Sequence, residues 1–215
     1  MPKEKLQKNR PGFLVTFEGI EGSGKSTQLE LLADDLVAKG HPVLKTREPG
    51  GTPIGNTIRA ILLDPARAEM VPKAELFLIL ASRAQHIVEV IRPAIAEGKI
   101  VLCDRFVHAT IAYQGYGRGL PPSFVESMAR HAAESLRPRV TFLLDLEVSI
   151  ALDRLARRGE LSRIDRETLA FHGRVREGYL KIANKLKRIT RRIDAARPVE
   201  AVAREIREQM DLLHV

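Results

Sequence analysis

Residues 19–26 read Gly-Ile-Glu-Gly-Ser-Gly-Lys-Ser, and their setting constrains the chain more than any other segment. The apolar, β-branched run Phe13 to Phe17 precedes them. A helical pattern begins near Ser26, with Leu29, Leu32, Ala33, Leu36 and Val37 on one face. Strand, glycine-rich turn and helix, with the spacing G-x-x-x-x-G-K-S/T, form the pattern of a phosphate-binding loop. Its glycines let successive backbone N–H groups turn inward around phosphate oxygens. The helix N-terminus adds its positive dipole end. The nucleotide-binding segment is therefore expected over Gly19, Ile20, Glu21, Gly22, Ser23, Gly24, Lys25, Ser26 and Thr27. Lys25 would reach the β- and γ-phosphates of a nucleotide, and the Ser26 hydroxyl would help hold Mg²⁺.

The loop alone does not separate a kinase from a guanine-nucleotide switch. Asn184-Lys185-Leu186-Lys187 has lysine where a base-reading aspartate would stand, and it lies inside a helical pattern. A switch protein is disfavoured.

Further short apolar runs are Val43-Leu44 extending toward Thr46, Ile100 to Cys103, Val140 to Leu144, and a weaker Arg188 to Ile193. Continuous runs this short suit strands buried on both faces of a parallel sheet. Helical patterns lie between them, over Ser26–Lys39, Lys73–Glu97 (with a kink expected at Pro93), Pro122–Ala133, Ser149–Arg157, Thr168–Leu186 and Pro198–Leu213. The alternation predicts an α/β fold with a parallel sheet, right-handed crossovers and ligands at the carboxyl ends of the strands.

With 215 residues the chain fits one domain, expected over 13–215 after a short basic tail of residues 1–12. The single cysteine, Cys103, forms no internal disulfide and suits a reducing compartment. No run approaches the ~18 apolar residues of a membrane span. A cytoplasmic protein is expected. The formal charge of +8 implies an anionic partner. Aromatic residues make up only 5% and tryptophan is absent, which makes nucleic acid a poor candidate for that partner.

Three more constellations follow strands. Residues 46–52 read Thr-Arg-Glu-Pro-Gly-Gly-Thr, a tight turn. Residues 104–106 read Asp-Arg-Phe, where an aspartate can hold Mg²⁺ waters and an arginine can clamp phosphate. Residues 110–119 read Thr-Ile-Ala-Tyr-Gln-Gly-Tyr-Gly-Arg-Gly, which suits a loop over a planar base.

These ordered motifs resemble those of the thymidylate kinases from Phe13 to about Met210, with support from Ala81-Ser82-Arg83-Ala84-Gln85-His86 and Ile193-Asp194-Ala195. The resemblance implies a P-loop nucleoside monophosphate kinase fold with a five-stranded parallel sheet flanked by helices. It implies transfer of a phosphoryl group from ATP to dTMP with Mg²⁺, and a homodimer. It gives Glu21 the acceptor's 3′-hydroxyl, Glu48 and Pro49 the shape of the acceptor pocket, and Arg83 the thymine ring or acceptor phosphate region. Asp104 would organise Mg²⁺ together with Ser26, and Arg105 would hold the acceptor phosphate. Thr110 and Gln114 would read the base edge, and Tyr113 would pack on the deoxyribose. Ile79 stands where a thymine-stacking Phe is common, so selectivity would fall on Arg83 and Gln114; Phe106 replaces a tyrosine and Ala109 a serine. The phosphate loop interior carries no cation, and a lid at about 154–167 would compensate, with Arg154, Arg158 and Arg163 neutralising charge on the moving phosphoryl group. The adenine is expected near Ala196 and Arg197, and Asp145 is expected to be structural. Three other readings are open: a kinase with another pyrimidine acceptor, a P-loop module that binds nucleic acid through its basic surface, and an interaction protein that keeps the fold without activity, against which the intact Lys25, Ser26, Asp104 and Arg105 speak.

Overall fold

The computed structural model describes residues 11–157, 159 and 161–213. The expected N-terminal tail, apart from Pro11 and Gly12, and the lid residue Arg158 lie outside the described residues. Gly12 is part of the fold, since its N–H donates to the Ile95 carbonyl at 3.1 Å.

Five strands form one parallel sheet: β1 (Phe13–Glu18), β2 (Val43–Arg47), β3 (Ile100–Asp104), β4 (Val140–Asp145) and β5 (Thr190–Asp194), in the order β2-β3-β1-β4-β5. The sheet has a core on each face. Val15, Phe17, Ile100 and Leu102 pack with Leu29, Leu32, Ala33 and Leu36 of helix α1 (Lys25–Ala38). Leu14, Val101 and Cys103 pack on the opposite side with Ile87, Ile91 and Ala94. Burial on both faces is why the strands read as unbroken apolar runs rather than as alternating ones. No described helix is long and apolar enough to cross a membrane.

Strand β1 lies between β3 and β4, so the chain leaves it in one direction and later returns on the other. This reversal puts a crevice at the carboxyl end of β1, where ligands of such sheets bind. The register pairs Phe17 with Asp104, which sets the loop after β1 beside the Asp104–Arg105 turn.

The helices depart from the sequence expectation in three places. Nothing was expected over 53–63, where α2 (Pro53–Leu63) forms; Thr52 Oγ1 caps it by accepting from Gly55 N–H at 2.9 Å, and Pro53 fills the first turn. The expected helix Lys73–Glu97 is instead α3 (Pro72–His86), a π-helical turn at Ile87–Ile91, and α4 (Arg92–Ala96). Pro93 has no N–H to give the Glu89 carbonyl four residues back, and the widened turn falls just before it. The segment expected as a loop over the base is helical: α5 (Val107–Thr110) runs into a π-helix at Ile111–Gly117, closed by Arg118 N–H donating to Tyr113 O at 2.8 Å. Gly117 serves close packing rather than a loop. A Cβ on Gly117 would lie 2.8 Å from both Phe171 and Val175 of α8 (Leu169–Lys185). The remaining helices are α6 (Pro122–Ala132), α7 (Val148–Ala156) and α9 (Val199–Asp211).

Gly117→Ala must push the π-helix off α8, and overpacking of this kind costs ~1–3 kcal/mol. Urea unfolding is expected to show a lower midpoint with an unchanged slope; an unchanged midpoint would disprove the close packing.

Candidate active site

The loop after β1 turns through left-handed backbone at Gly22, with φ 73°, and Gly24, with φ 88°. A Cβ on Gly22 would lie 2.6 Å from the Ala151 carbonyl, so glycine is required there by space as well as by φ. No side chain caps α1, and its first N–H groups remain for a ligand. Lys25 Nζ donates to Ile20 O at 2.8 Å and contacts Ser23 Oγ at 3.4 Å. Burial, assisted by nearby Arg105, pushes its pKa down to about 8.

Ser26 Oγ donates to Asp104 Oδ2 at 2.6 Å. The expected pair is thus in contact. Two hard oxygen ligands suit Mg²⁺, which keeps several waters and takes the rest of its shell from phosphate. Among the described residues no larger cluster of metal-ligating side chains exists.

Arg105 is the centre of the site. Its backbone is left-handed, with φ 72°, a conformation that costs a non-glycine residue on the order of 1–3 kcal/mol. It is held by Arg105 N–H donating to Phe17 O at 2.9 Å and by Phe106 N–H donating to Glu18 Oε1 at 2.8 Å. The guanidinium donates to Gly19 O at 3.0 Å, Tyr179 Oη at 3.0 Å, Glu21 Oε1 at 2.8 Å and Tyr113 Oη at 3.2 Å. It also lies 4.8 Å from the Tyr113 ring centre. Tyr113 Oη donates to Glu21 Oε2. Burial would raise the Glu21 carboxyl, but Arg105 and Lys25 hold it below its ordinary value. Glu18, beneath the turn, accepts from Tyr179 Oη at 3.0 Å, and burial outweighs its partners and pushes it up to about 7.

The far wall of the cleft is a second network. Arg83, 1% exposed, donates Nε to Glu48 Oε2 at 2.7 Å and Nη2 to Phe106 O at 3.0 Å and Thr110 Oγ1 at 2.9 Å. His86 ties Glu48 Oε1 at 3.1 Å to Thr46 Oγ1 at 2.7 Å. Gly51, with φ 83°, leaves room for that imidazole; a Cβ there would lie 2.5 Å from Nε2. Pro49, after a cis bond, lines the same cleft. Gln114 Nε2 donates to Glu75 Oε1 at 2.8 Å. Among the described residues, Arg83 Nη1 and Gln114 Oε1 are buried with no hydrogen-bond partner, one a donor and the other an acceptor. Ile79 lines the cleft, while Phe77 is 51% exposed on another face of α3.

Of the lid arginines, Arg154 donates to Gly22 O at 3.3 Å and to Ala195 O at 3.2 Å, linking the loop after β1 to the chain after β5. That places it beside Ala196 and Arg197. Arg163 points elsewhere than expected. It is 7% exposed and donates to Leu62 O at 3.0 Å and to Glu75 Oε2 at 2.5 Å, at the far wall of the cleft rather than over the phosphate loop. The reason is the buried Glu75 carboxylate, which needs compensating charge.

Sequence reasoning passed over Glu18, Glu75, His86 as a network member, and Arg59, which donates to Pro49 O at 3.1 Å from the unexpected α2. Cys103 is a buried thiol that burial pushes up, consistent with a core role. Asp145 is held by Arg176 at 2.8 Å and Arg192 at 2.6 Å, a structural role as expected. His108 is buried away from the cleft, and burial pushes it down to about 4.

A cleft of about 1070 Å³ joins Lys25 and Asp104 to Glu48, Arg83 and Gln114. A phosphate loop at one end and a polar, base-sized wall at the other, with an arginine between them, define a P-loop kinase that acts on a small phosphorylated acceptor. The family model for thymidylate kinase matches residues 17–206, and the chain belongs to the thymidylate kinase family. It is 47% identical over 206 residues to a thymidylate kinase from Desulfovibrio desulfuricans, covering 93% of this chain and 95% of that one. It is 52% identical over 183 residues to one from Geotalea daltonii, covering 82% and 86%. The crystal structure of thymidylate kinase from Ehrlichia chaffeensis superposes with a TM-score of 0.75 at 32% identity, covering 94% of this chain and 99% of that one.

Glu18→Gln is expected to isolate the Glu18 titration. The native fold binds the extra proton between the ordinary carboxyl value of 4.5 and about 7, so wild-type stability falls as pH rises through that window. The stability of E18Q relative to wild type should rise from pH 4.5 to 7 and then level off. A flat difference in urea titrations across that range would refute the assignment.

Proposed function

We propose that the chain transfers the γ-phosphoryl group of ATP to dTMP, giving ADP and dTDP, with Mg²⁺ bound at Ser26 and Asp104. The observation that carries this reading is Arg105, which touches the phosphate loop at Gly19 and the acceptor side at Tyr113 with one guanidinium. ATP phosphates lie in the loop Gly19–Thr27, with Lys25 at the outer phosphates. The acceptor base lies against Arg83, Thr110 and Gln114, between Ile79 and Phe106, with Glu48 and Pro49 shaping the pocket. The free Nη1 donor of Arg83 suits the thymine O4, and the free Gln114 Oε1 suits its N3–H. Tyr113 packs on the deoxyribose, and Glu21 faces the 3′-hydroxyl.

A dTMP phosphate oxygen is largely ionised at pH 7, since the second phosphate pKa is ~6. No general base is required. That oxygen forms a bond to the γ-phosphorus as the bond to the β-bridging oxygen breaks, and the electron pair leaves on ADP. Catalysis is positioning and charge neutralisation. Arg105 exchanges Glu21 for the acceptor phosphate, and Arg154, with Arg158 in the lid, neutralises charge from the donor side. Arg163 tethers the lid at Glu75. The adenine packs near Ala196 and Arg197. Mg²⁺, when bound, offsets charge on the β- and γ-phosphates.

ADP release measured with ATP, Mg²⁺ and each of dTMP, dUMP, UMP, dCMP and AMP tests the reading. Turnover is expected with dTMP far above the others. Faster turnover with another acceptor would replace the substrate, and none with any of them would leave a binding role.

The reading includes a homodimer. Phe77, Ala81, Ala84 and Val88 form an exposed small and apolar stripe along α3 and the π-turn after it, a surface of the kind that marks protein contacts. Light scattering is expected to give twice the chain mass for wild type and the chain mass for Phe77→Glu; a monomeric wild type would refute the dimer.

A further inference from the structure

Glu75 lies in the first turn of α3 and is 1% exposed. Its oxygens are fully engaged. Oε1 accepts from Gln114 Nε2 at 2.8 Å and Arg118 Nε at 3.1 Å, and Oε2 accepts from Arg118 Nη2 at 3.0 Å and Arg163 Nη2 at 2.5 Å. An ionised carboxylate only accepts. It therefore dictates which end of the Gln114 amide faces it. The nitrogen must point to Glu75, and the carbonyl oxygen must point away.

Gln114 is 2% exposed and lines the cleft, and among the described residues its Oε1 has no partner. An untethered glutamine could turn its amide over and offer either end to a base. We propose that Glu75 is a specificity-determining positioning residue, which locks the Gln114 carbonyl toward the acceptor base and so admits bases with a ring N–H donor, such as thymine, and rejects cytosine, whose N3 is an acceptor. This rests on the reading that Gln114 faces the base edge. Burial alone would raise the Glu75 carboxyl, but Arg118, Gln114 and Arg163 hold it below its ordinary value, so it stays an acceptor. The two arginines thus preserve the sense of the lock.

In Glu75→Gln the new side chain can present oxygen or nitrogen to Gln114, and the pair of amides can turn over together. The test is kcat/KM for dTMP and for dCMP in wild type, E75Q, Gln114→Leu and the double variant. A polar site that misreads donor and acceptor loses large factors of discrimination. The dTMP to dCMP ratio is expected to fall at least about tenfold in E75Q, a change that lost lid tethering alone would not produce. In the Q114L background, E75Q should leave the ratio unchanged. A uniform loss on both acceptors, or an equal shift in the Q114L background, overturns the proposal. A wild-type ratio in Q114L itself removes the base reading and the lock with it. Should E75Q fail to fold, Glu75→Asp keeps the charge and retracts it from Gln114; the same fall in ratio is expected, and a wild-type ratio overturns the lock.

Discussion

The backbone at Arg105 is the point on which the active cleft depends. Its left-handed conformation turns the chain at the end of β3 so that the guanidinium lies back over β1 instead of continuing along the strand. The backbone bond from Arg105 N–H to Phe17 O and the Glu18 carboxylate, which accepts from Phe106 N–H, hold that turn. Glu18 is the last residue of β1, and the phosphate loop begins one residue later. The phosphate loop and Arg105 are therefore fixed to each other by the buried Glu18 carboxylate beneath the turn and by the guanidinium's own bonds to Gly19 and Glu21. The order of strands, with β1 beside β3, makes this possible.

The cost of the arrangement is charge in a confined space. Lys25, Arg105, Glu18, Glu21 and Asp104 lie within one cluster, in which burial raises the Glu18 carboxyl and lowers Lys25 while Arg105 and Lys25 hold Glu21 down. Such pairs contribute little net stability when complete but leave an expensive unpaired charge when broken. The Arg105–Glu21 pair therefore resists collapse into another geometry. Preorganised charge of this kind needs no rearrangement of solvent at the moment of reaction.

The parts legible in the sequence were those with strict local chemistry. The spacing from Gly19 to Ser26, the continuous apolar strands and the helical face of α1 follow from backbone and burial rules that act within a few residues. The meeting of Ser26 with Asp104 was reachable because Asp104 ends β3 and Ser26 opens the helix that follows β1. The segment 107–117 reads as a loop from sequence alone, since Gly117 looks like a loop residue until α8 is known to press against it. Helix α2 carried a clear start in Thr52-Pro53, yet the adjoining Pro-Gly-Gly turn masked it.

The network at Glu75 was illegible for a different reason. Its members, at 75, 114, 118 and 163, are scattered along the chain, and each has an ordinary surface explanation taken singly. An arginine in a basic run reads as a solvated charge or a phosphate ligand, and only a buried carboxylate across the cleft diverts it. Arg163 is also fixed by its own N–H donating to Leu63 O at 3.0 Å and by its side chain on Leu62 O, so the lid is seated on the C-terminal end of α2. Arg118 extends the same seat to Glu167 at 2.5 Å. The segment around Arg163 is therefore anchored to the cleft wall that carries Gln114, and its position and the orientation of Gln114 share one carboxylate.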